Sequence, residues 1–543
     1  MQLAVCDLAP SQPLATSYIH HFFAVRDLFD YNPSDPDCLQ RRADRLLRSE
    51  QPRADRAGLI EALAEFNRGL GNAPEALDNI ARLANANALA VVGGQQAGLF
   101  TGPLFVIYKA VTILKAARRA EERLGRPVVP VFWIAGEDHD FEEINHLFAL
   151  TPELKVEKIR LEARHEGRIP ISRLKIEPDQ WEEAIERLGK SLMDTEFKPD
   201  LMALLRETGR ASRTPVECFG RIMARLFGSH GLVLLDSDDP RLRALEGPMF
   251  RRLIERNAAL NEALLTGRSR VESLGFAPQS EIAEGQANLF VYDGDERILL
   301  HRRGNVFADK NGKRHYSLEQ LLDLADTRPQ HLSNNVMTRP LMQEFLLPVL
   351  ATVLGPGEIA YWALTRDAFH AFGMEMPVVI PRDRYTLIEG TLQKSMQKFG
   401  LSLDDVAHRF EEKRQAWLDA QDSLKLAERF AAVREQVQAI YRPLLDDIAR
   451  INPGLRNLGE TNLQKILEQI GFMEARANDA FAARFDASLR QMDRLKLSLF
   501  PLNQPQERVY NVFAYLNKYG DGWLSELIGA EAGLTGQHYV CYF

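Results

Sequence analysis

A chain of 543 residues exceeds what one hydrophobic core organises, so roughly two to four domains are expected. Its 45% hydrophobic content excludes wholesale disorder, and a formal net charge of −8 argues against broad, sequence-independent nucleic-acid binding. Four widely spaced cysteines (Cys6, Cys38, Cys218, Cys541) with no Cys-x-x-Cys pair argue against a disulfide framework and against structural zinc. The N-terminus lacks a basic region followed by an apolar core. The longest apolar stretch, "PLMQEFLLPVLATVLGPGEIAYWAL", carries charges and a Gly-Pro-Gly break. The expectation is a soluble cytoplasmic protein with no nucleic-acid or membrane partner.

In chain order, "ALAVVGG" (88–94) reads as a strand followed by a helix from about Pro103 to Leu124. "RPVVPVFWIAG" (126–136) precedes a helical pattern in "EDHDFEEINHLF", "GLVLLDSDD" (231–239) precedes another, and "MPVVIPRD" (376–383) closes the set. Apolar strands without alternation, separated by helices, predict a parallel sheet covered on both faces. The fold class is α/β, with a Rossmann-like core interrupted by two inserted subdomains. "KVEKIRLEA" and "RIPISRLKIE" alternate like strands within the first insertion, and hairpins around Asp-Gly and Asn-Gly turns fill the second. The expected boundaries are core at 1–150, 201–270 and 331–390, insertions at 151–200 and 271–330, a helical coiled-coil domain at 391–500, and a C-terminal segment at 501–543 docking on the core.

In the coiled-coil region, Phe430, Val433, Val437, Ile440, Leu444, Ile448 and Ile451 form one seam, and Leu463, Ile466, Ile470, Met473, Ala477 and Ala480 a second. "NPG" (452–454) separates them, and Thr461 with Gln464 reads as a capping box starting the second arm. The prediction is an antiparallel helical hairpin, kinked at Pro443, that dimerises or packs on its own core.

Four constellations bear on chemistry. "GGQQAGLFTGP" fails both the P-loop and the dinucleotide spacing, yet Gly93 and Gly94 permit close backbone approach, and a following helix aims N–H groups at the loop. Gln95 and Gln96 suit hydroxyls, amides or a carboxylate, and Thr101-Gly102-Pro103 reads as a helix start. In "GEDHDFEEINH", Asp138, His139 and Asp140 sit where α/β sites form, and the surrounding carboxylates should raise the His139 pKa. His139, Glu142, Glu143 and His146 invite a metal reading, but neither H-E-x-x-H nor H-x-x-E-H is present, and no metal is expected. Helix N-terminal acids are the plainer reading of Glu137, Asp138 and Asp140. Arg339 and Gln343 are candidates for an anionic group, and Glu358, Tyr361 and Trp362 for a pocket wall. In "NQPQERVYNVFAYLNKYG", Gln506, Arg508 and Asn511 are candidates for a nucleotide contact, against the plainer reading of a docking segment.

Taken together, "GGQQAGLFTGPLFVIYKA", "PVFWIAGEDHDFEEINH", "NVMTRPLMQEFLLPVLATVLGPGEIAYWAL" and "NQPQERVYNVFAYLNKYG" resemble the BshC family, the cysteine-adding enzymes of bacillithiol biosynthesis. The resemblance implies a Rossmann-like core with two connecting-peptide subdomains and a coiled coil that forms a homodimer. It implies a ligase joining cysteine to glucosaminyl-malate through an amide, the last step of the pathway. By analogy with class I aminoacyl-tRNA synthetases, ATP would activate the cysteine, but His-x-Gly-His and Lys-Met-Ser-Lys-Ser are absent from this chain. An adenylating relative of those synthetases acting on another amino acid is the alternative. On the ligase reading, Gly93, Gly94, Gln95 and Gln96, with the helix start at Thr101-Gly102, bind a carboxylate or phosphate. His139 stabilises developing charge, and Asp138 or Asp140 deprotonates the incoming ammonium. Arg339 and Gln343 hold malate or a phosphate, while Glu358, Tyr361 and Trp362 line the cysteine or sugar pocket.

Overall fold

The computed structural model describes residues 2–543 except 7, 9, 11, 50, 164–166, 295 and 532. The chain forms two compact units, Met1–Leu387 with Gln504–Phe543, and Ile388–Asn503. In the first unit five strands make one sheet: β1 (Leu89–Gln95), β2 (Val128–Ile134), β3 (Val233–Asp236), β4 (Val349–Leu354) and β5 (Val378–Pro381). Their lateral order is β5-β4-β1-β2-β3, with every neighbouring pair parallel. The winding direction reverses between β1 and β4, and a ligand crevice opens outside the carboxyl ends of strands at such a reversal.

Successive side chains of a strand point to opposite faces. Val91, Phe132 and Leu234 accordingly join one hydrophobic cluster, and Ala90, Val92, Val131 and Trp133 join another. Both faces are covered, which is why these strands read as unbroken apolar runs. Helix α1 (Leu104–Leu124) follows β1 and ends at Gly125, whose φ of 62° suits a glycine stop.

Two expectations after β2 fail. The helix expected to run through Phe148 is the single turn Phe141–Ile144, and His146–Leu150 is a strand paired antiparallel with Val156–Arg160. A partner strand gives Leu147 and Ala149 a buried face at period two, which a lone helical pattern could not reveal. Arg168–Glu177 forms no strand. Its Ile171 and Ser172 amides instead donate to the Asp138 and Gly136 carbonyls, at 2.8 and 3.0 Å. The hairpins around Asp293-Gly294 and Asn311-Gly312 do form, within a five-stranded antiparallel sheet that Leu332–Asn334 completes. At the chain ends, His538–Tyr542 lies between Gln2–Cys6 and Arg384–Ile388 in a three-stranded sheet.

The second unit is helical. Helices α2 (Leu426–Ile451) and α3 (Gly454–Ala483) run antiparallel, joined by the Arg434–Glu474 ion pair and by the Tyr441 hydroxyl donating to Asn462 at 2.5 Å. Gly459 lets the arms approach, because a Cβ there would collide with Leu445. Helix α3 begins at Gly454, so Thr461 lies inside it and bonds back to the Asn457 carbonyl at 2.9 Å instead of capping. Pro443 sits within α2 without ending it. Leu445, Gly459 and Leu463 are the buried residues of the two arms, while Ile440, Leu444, Ile451 and Met473 stay exposed. No helix among the described residues is long and apolar enough to cross a membrane.

A candidate active site where the sheet reverses

Strand β1 reaches the crevice through Gly93, Gly94 and Gln95. A Cβ on Gly93 would stand 2.7 Å from Ile113 Cδ1, so this glycine lets α1 pack on the strand. A Cβ on Gly94 would stand 2.5 Å from Arg339 Nη2 and 2.9 Å from the Trp133 carbonyl, so this one admits the guanidinium. Arg339 lies 4.8 Å from the Trp133 ring centroid, and among the described residues no carboxylate pairs with it. From α1, buried Lys109 donates to the Gly94 carbonyl at 2.6 Å, to Gln95 Oε1 at 2.9 Å and to Glu358 at 2.5 Å. Burial pulls its pKa down, and the Glu358 carboxylate opposes that.

The loop after Gln96 is strained. Phe100 and Thr101 have φ of 45° and 80°, a region that costs about 1–3 kcal/mol per residue outside glycine. A Cβ on Gly98 would stand 2.8 Å from Gly102 Cα, so both glycines serve the loop's packing on itself. Asn511 restrains it by donating to the Phe100 and Gly102 carbonyls at 2.8 and 2.7 Å.

At the end of β2, Gln96 Nε2 donates to Asp138 at 2.5 Å and to Glu143 at 2.9 Å. This joins the two loops that the sequence sets more than forty residues apart. His139 lies 3.4 Å from Arg297, whose guanidinium packs over Phe290 at 3.9 Å and bonds Ser333 and the Asn334 carbonyl. The expected rise in the His139 pKa is reversed. Burial and the Arg297 charge lower it, and Asp138 and Asp140 oppose them without prevailing. The imidazole is therefore neutral near pH 7.

Beside this wall lies a largely buried ionic cluster. Glu137 accepts from Arg243 and from Ser333, the latter at 2.9 Å. Arg243 also meets Glu246 at 2.7 Å and Asp238 at 3.6 Å, and Asp238 takes a bidentate pair from Arg173. Burial pushes the Glu246 pKa up to about 8 and that of Asp236 up to about 7. The cluster therefore carries less negative charge near pH 7 than its four carboxyls would if all were ionised. Ser172, bonded to Asp236 at 2.7 and 2.9 Å, ties the segment before Arg173 to the end of β3.

A cavity of about 550 Å³ opens among these groups. Of the expected residues, Gly94, Gln95, Gln96, Asp138, His139, Arg339, Glu358 and Tyr361 line it. Asn334 joins them, its Oδ1 without a partner among the described residues. A second cavity of about 270 Å³ shares the Gln95, Gln96 and Glu143 wall, and Arg508 stands on it.

The remaining expected residues lie elsewhere. Asp140 is exposed at the start of the Phe141 turn. Gly93 and Gly102 serve packing. Thr101 is buried, and its hydroxyl has no partner and caps no helix among the described residues. Gln343 and Trp362 face the core. Gln506 spends its amide on both backbone groups of Leu387, at 2.8 and 3.0 Å, and Asn511 on the loop carbonyls, so neither is free for a nucleotide. Among the described residues no group of three or more His, Cys, Asp or Glu side chains is placed to hold a metal ion.

Sequence reasoning missed Lys109 and Arg297. A lone lysine inside the apolar run "FVIYKAVTIL" is a signal for the first. Nothing marks Arg297 among the arginines of its hairpin.

Family models for bacillithiol biosynthesis BshC match the whole chain, the N-terminal Rossmann-like domain over residues 1–383 and the C-terminal coiled-coil domain over 385–543. Relatives named "Putative cysteine ligase BshC" include one from Geobacillus sp. strain WCH70, 38% identical over all of both chains. Another, from Symbiobacterium thermophilum, is 37% identical over 96% of this chain and 95% of its own. A third, from Bacillus cytotoxicus, is 35% identical over 98% of each. A solved structure described as a putative arginyl tRNA synthetase from Campylobacter jejuni aligns with 88% of this chain and 99% of its own. Its 11% identity and TM-score of 0.23 carry no argument. On the family models and full-length relatives, the chain belongs to the BshC family of bacillithiol biosynthesis.

Proposed function

We propose that the protein is a ligase that joins L-cysteine to glucosaminyl-malate through an amide bond, the last step of bacillithiol biosynthesis. The observation that carries this reading is the larger cavity, where the Arg339 guanidinium, with no carboxylate partner among the described residues, and the Asp138 carboxylate held by Gln96 line one space at the reversal of the sheet. Arg339 pairs with a malate carboxylate, since a guanidinium in a partly dry site selects that group. Asp138 takes the proton from the sugar ammonium, which frees the lone pair for attack on the cysteine carbonyl. Neutral His139 and the Gln95 amide steady the oxygen on which charge develops.

The C–N bond forms as the carboxyl C–O bond breaks, so the reaction needs an activated acyl donor that carries off one oxygen. Gln506 and Asn511 are spent on backbone, so neither amide serves a nucleotide-dependent activation. Exposed Ile440, Leu444 and Ile451 on α2 support pairing of two copies through the helical arms, which sedimentation of the full chain tests.

The decisive experiment incubates the purified protein with cysteine, glucosaminyl-malate and candidate activators, following thiol product by mass spectrometry. Product that depends on protein and on one activator is expected. No product with any activator counts against the ligase.

A further inference from the structure

The second cavity is built differently from the first. It lies on the other side of Gln95, Gln96 and Glu143, and its far wall carries Phe105, His146 and Phe148. His146 and Phe148 project from one face of the strand that replaced the expected helix, with their rings 5.4 Å apart edge to face. Asn145 donates to Glu142 at 3.3 Å, which turns its Oδ1 toward His146 Nδ1 at 3.2 Å. Nδ1 therefore carries the proton, and Nε2 is left as an acceptor. Burial and the charges of Lys158 and Arg160 lower the His146 pKa, so the ring is neutral near pH 7.

Size separates the two spaces. At about 550 Å³ the larger lies within the roughly 300–1,000 Å³ usual for drug-sized ligands, and at about 270 Å³ the smaller falls below it. Two unequal compartments that share a wall suit a reaction joining a sugar acid to one small amino acid.

We infer that the smaller cavity is the cysteine subsite, an inference that rests on the ligase reading and divides its two substrates between the two cavities. Glu143 takes the cysteine ammonium, and the carboxyl lies against Gln95 and Gln96, where the acceptor amine arrives from the larger cavity. The thiol points to the apolar end, its S–H donating to His146 Nε2 and its sulfur against the Phe148 ring, a contact that sulfur makes and a hydroxyl does not.

The test is equilibrium dialysis of radiolabelled L-cysteine against the full chain under reducing conditions, with glucosaminyl-malate binding measured by calorimetry and folding by thermal unfolding. Phe148→Trp should weaken cysteine binding about tenfold by filling the space. His146→Phe, near in shape, should weaken it about fivefold and widen the preference for cysteine over serine, because a hydroxyl loses a stronger bond to the imidazole than a thiol does. Both should leave glucosaminyl-malate binding within about twofold, while Arg339→Met should do the reverse. Cysteine binding unchanged in His146→Phe and Phe148→Trp, or lost in Arg339→Met, overturns the subsite. Wild-type protein that binds the acceptor and no cysteine also overturns it. Failure to bind either substrate falls instead on the ligase reading.

Discussion

Glu137 and Asp138 are neighbours in the chain and opposites in environment. Glu137 is 5% exposed, and Arg243 and Ser333 occupy its carboxylate. Asp138 is half-buried on the larger cavity, with Gln96 as its side-chain partner and the His139 amide, donating at 2.7 Å, as a backbone one. One carboxylate stands at the edge of the cavity with its oxygens taken up by Arg243 and Ser333, and holds the strand ends together. The other keeps lone pairs facing a space that a substrate can enter. Residue type alone does not distinguish scaffold from chemistry here; solvent access does.

Four substitutions sharpen or break that contrast. Arg243→Met leaves carboxylates buried without their cation and should cost about 3–5 kcal/mol in urea unfolding. A midpoint that barely moves would mean the buried cluster is not structural. Asp138→Asn should do the reverse, leaving unfolding within about 0.5 kcal/mol while product formation falls about 10²–10⁴-fold. Normal turnover in that variant removes Asp138 as the base.

Asn511→Ala strands the Phe100 and Gly102 carbonyls and should cost about 1–3 kcal/mol for each group left unsatisfied. Faster hydrogen exchange at residues 98–103 is the accompanying sign that the strained loop has been released. The smallest effect concerns pH. With its pKa raised to about 7, Asp236 keeps in the folded state a proton that the unfolded chain gives up near pH 4. Its contribution is full at low pH and is lost as pH rises toward and through 7. Asp236→Asn stands in for the protonated form and should escape a loss of about 2 kcal/mol between pH 5.5 and 8.5. Parallel pH profiles for the two proteins would contradict the buried proton.

Much of the candidate site was legible. Gly94, Gln95, Gln96, Asp138 and His139 stand at the ends of strands whose apolar runs are unmistakable, and ligands gather at such ends. What escaped was reach across the fold. Trp362 follows Tyr361 on a short helix but turns to the core, because neighbouring positions there face different ways, and Gln343 is buried one turn after Arg339. His146, expected within a helical pattern, lies on a strand whose partner, Val156–Arg160, sets its period to two and carries it to the other cavity.

The amino-acid order alone determines the family, the parallel α/β core, the helical hairpin and the two polar loops, because apolar periodicity and glycine placement are local properties. Tertiary structure decided which polar groups meet water and which meet one another. It set Lys109 beneath Gln95, brought Arg297 to His139 and reversed that imidazole's pKa shift, and assigned Asn511 to the backbone. Those outcomes depend on burial and on partners more than a hundred residues away or on another element, and free energies of desolvation are not written in local sequence.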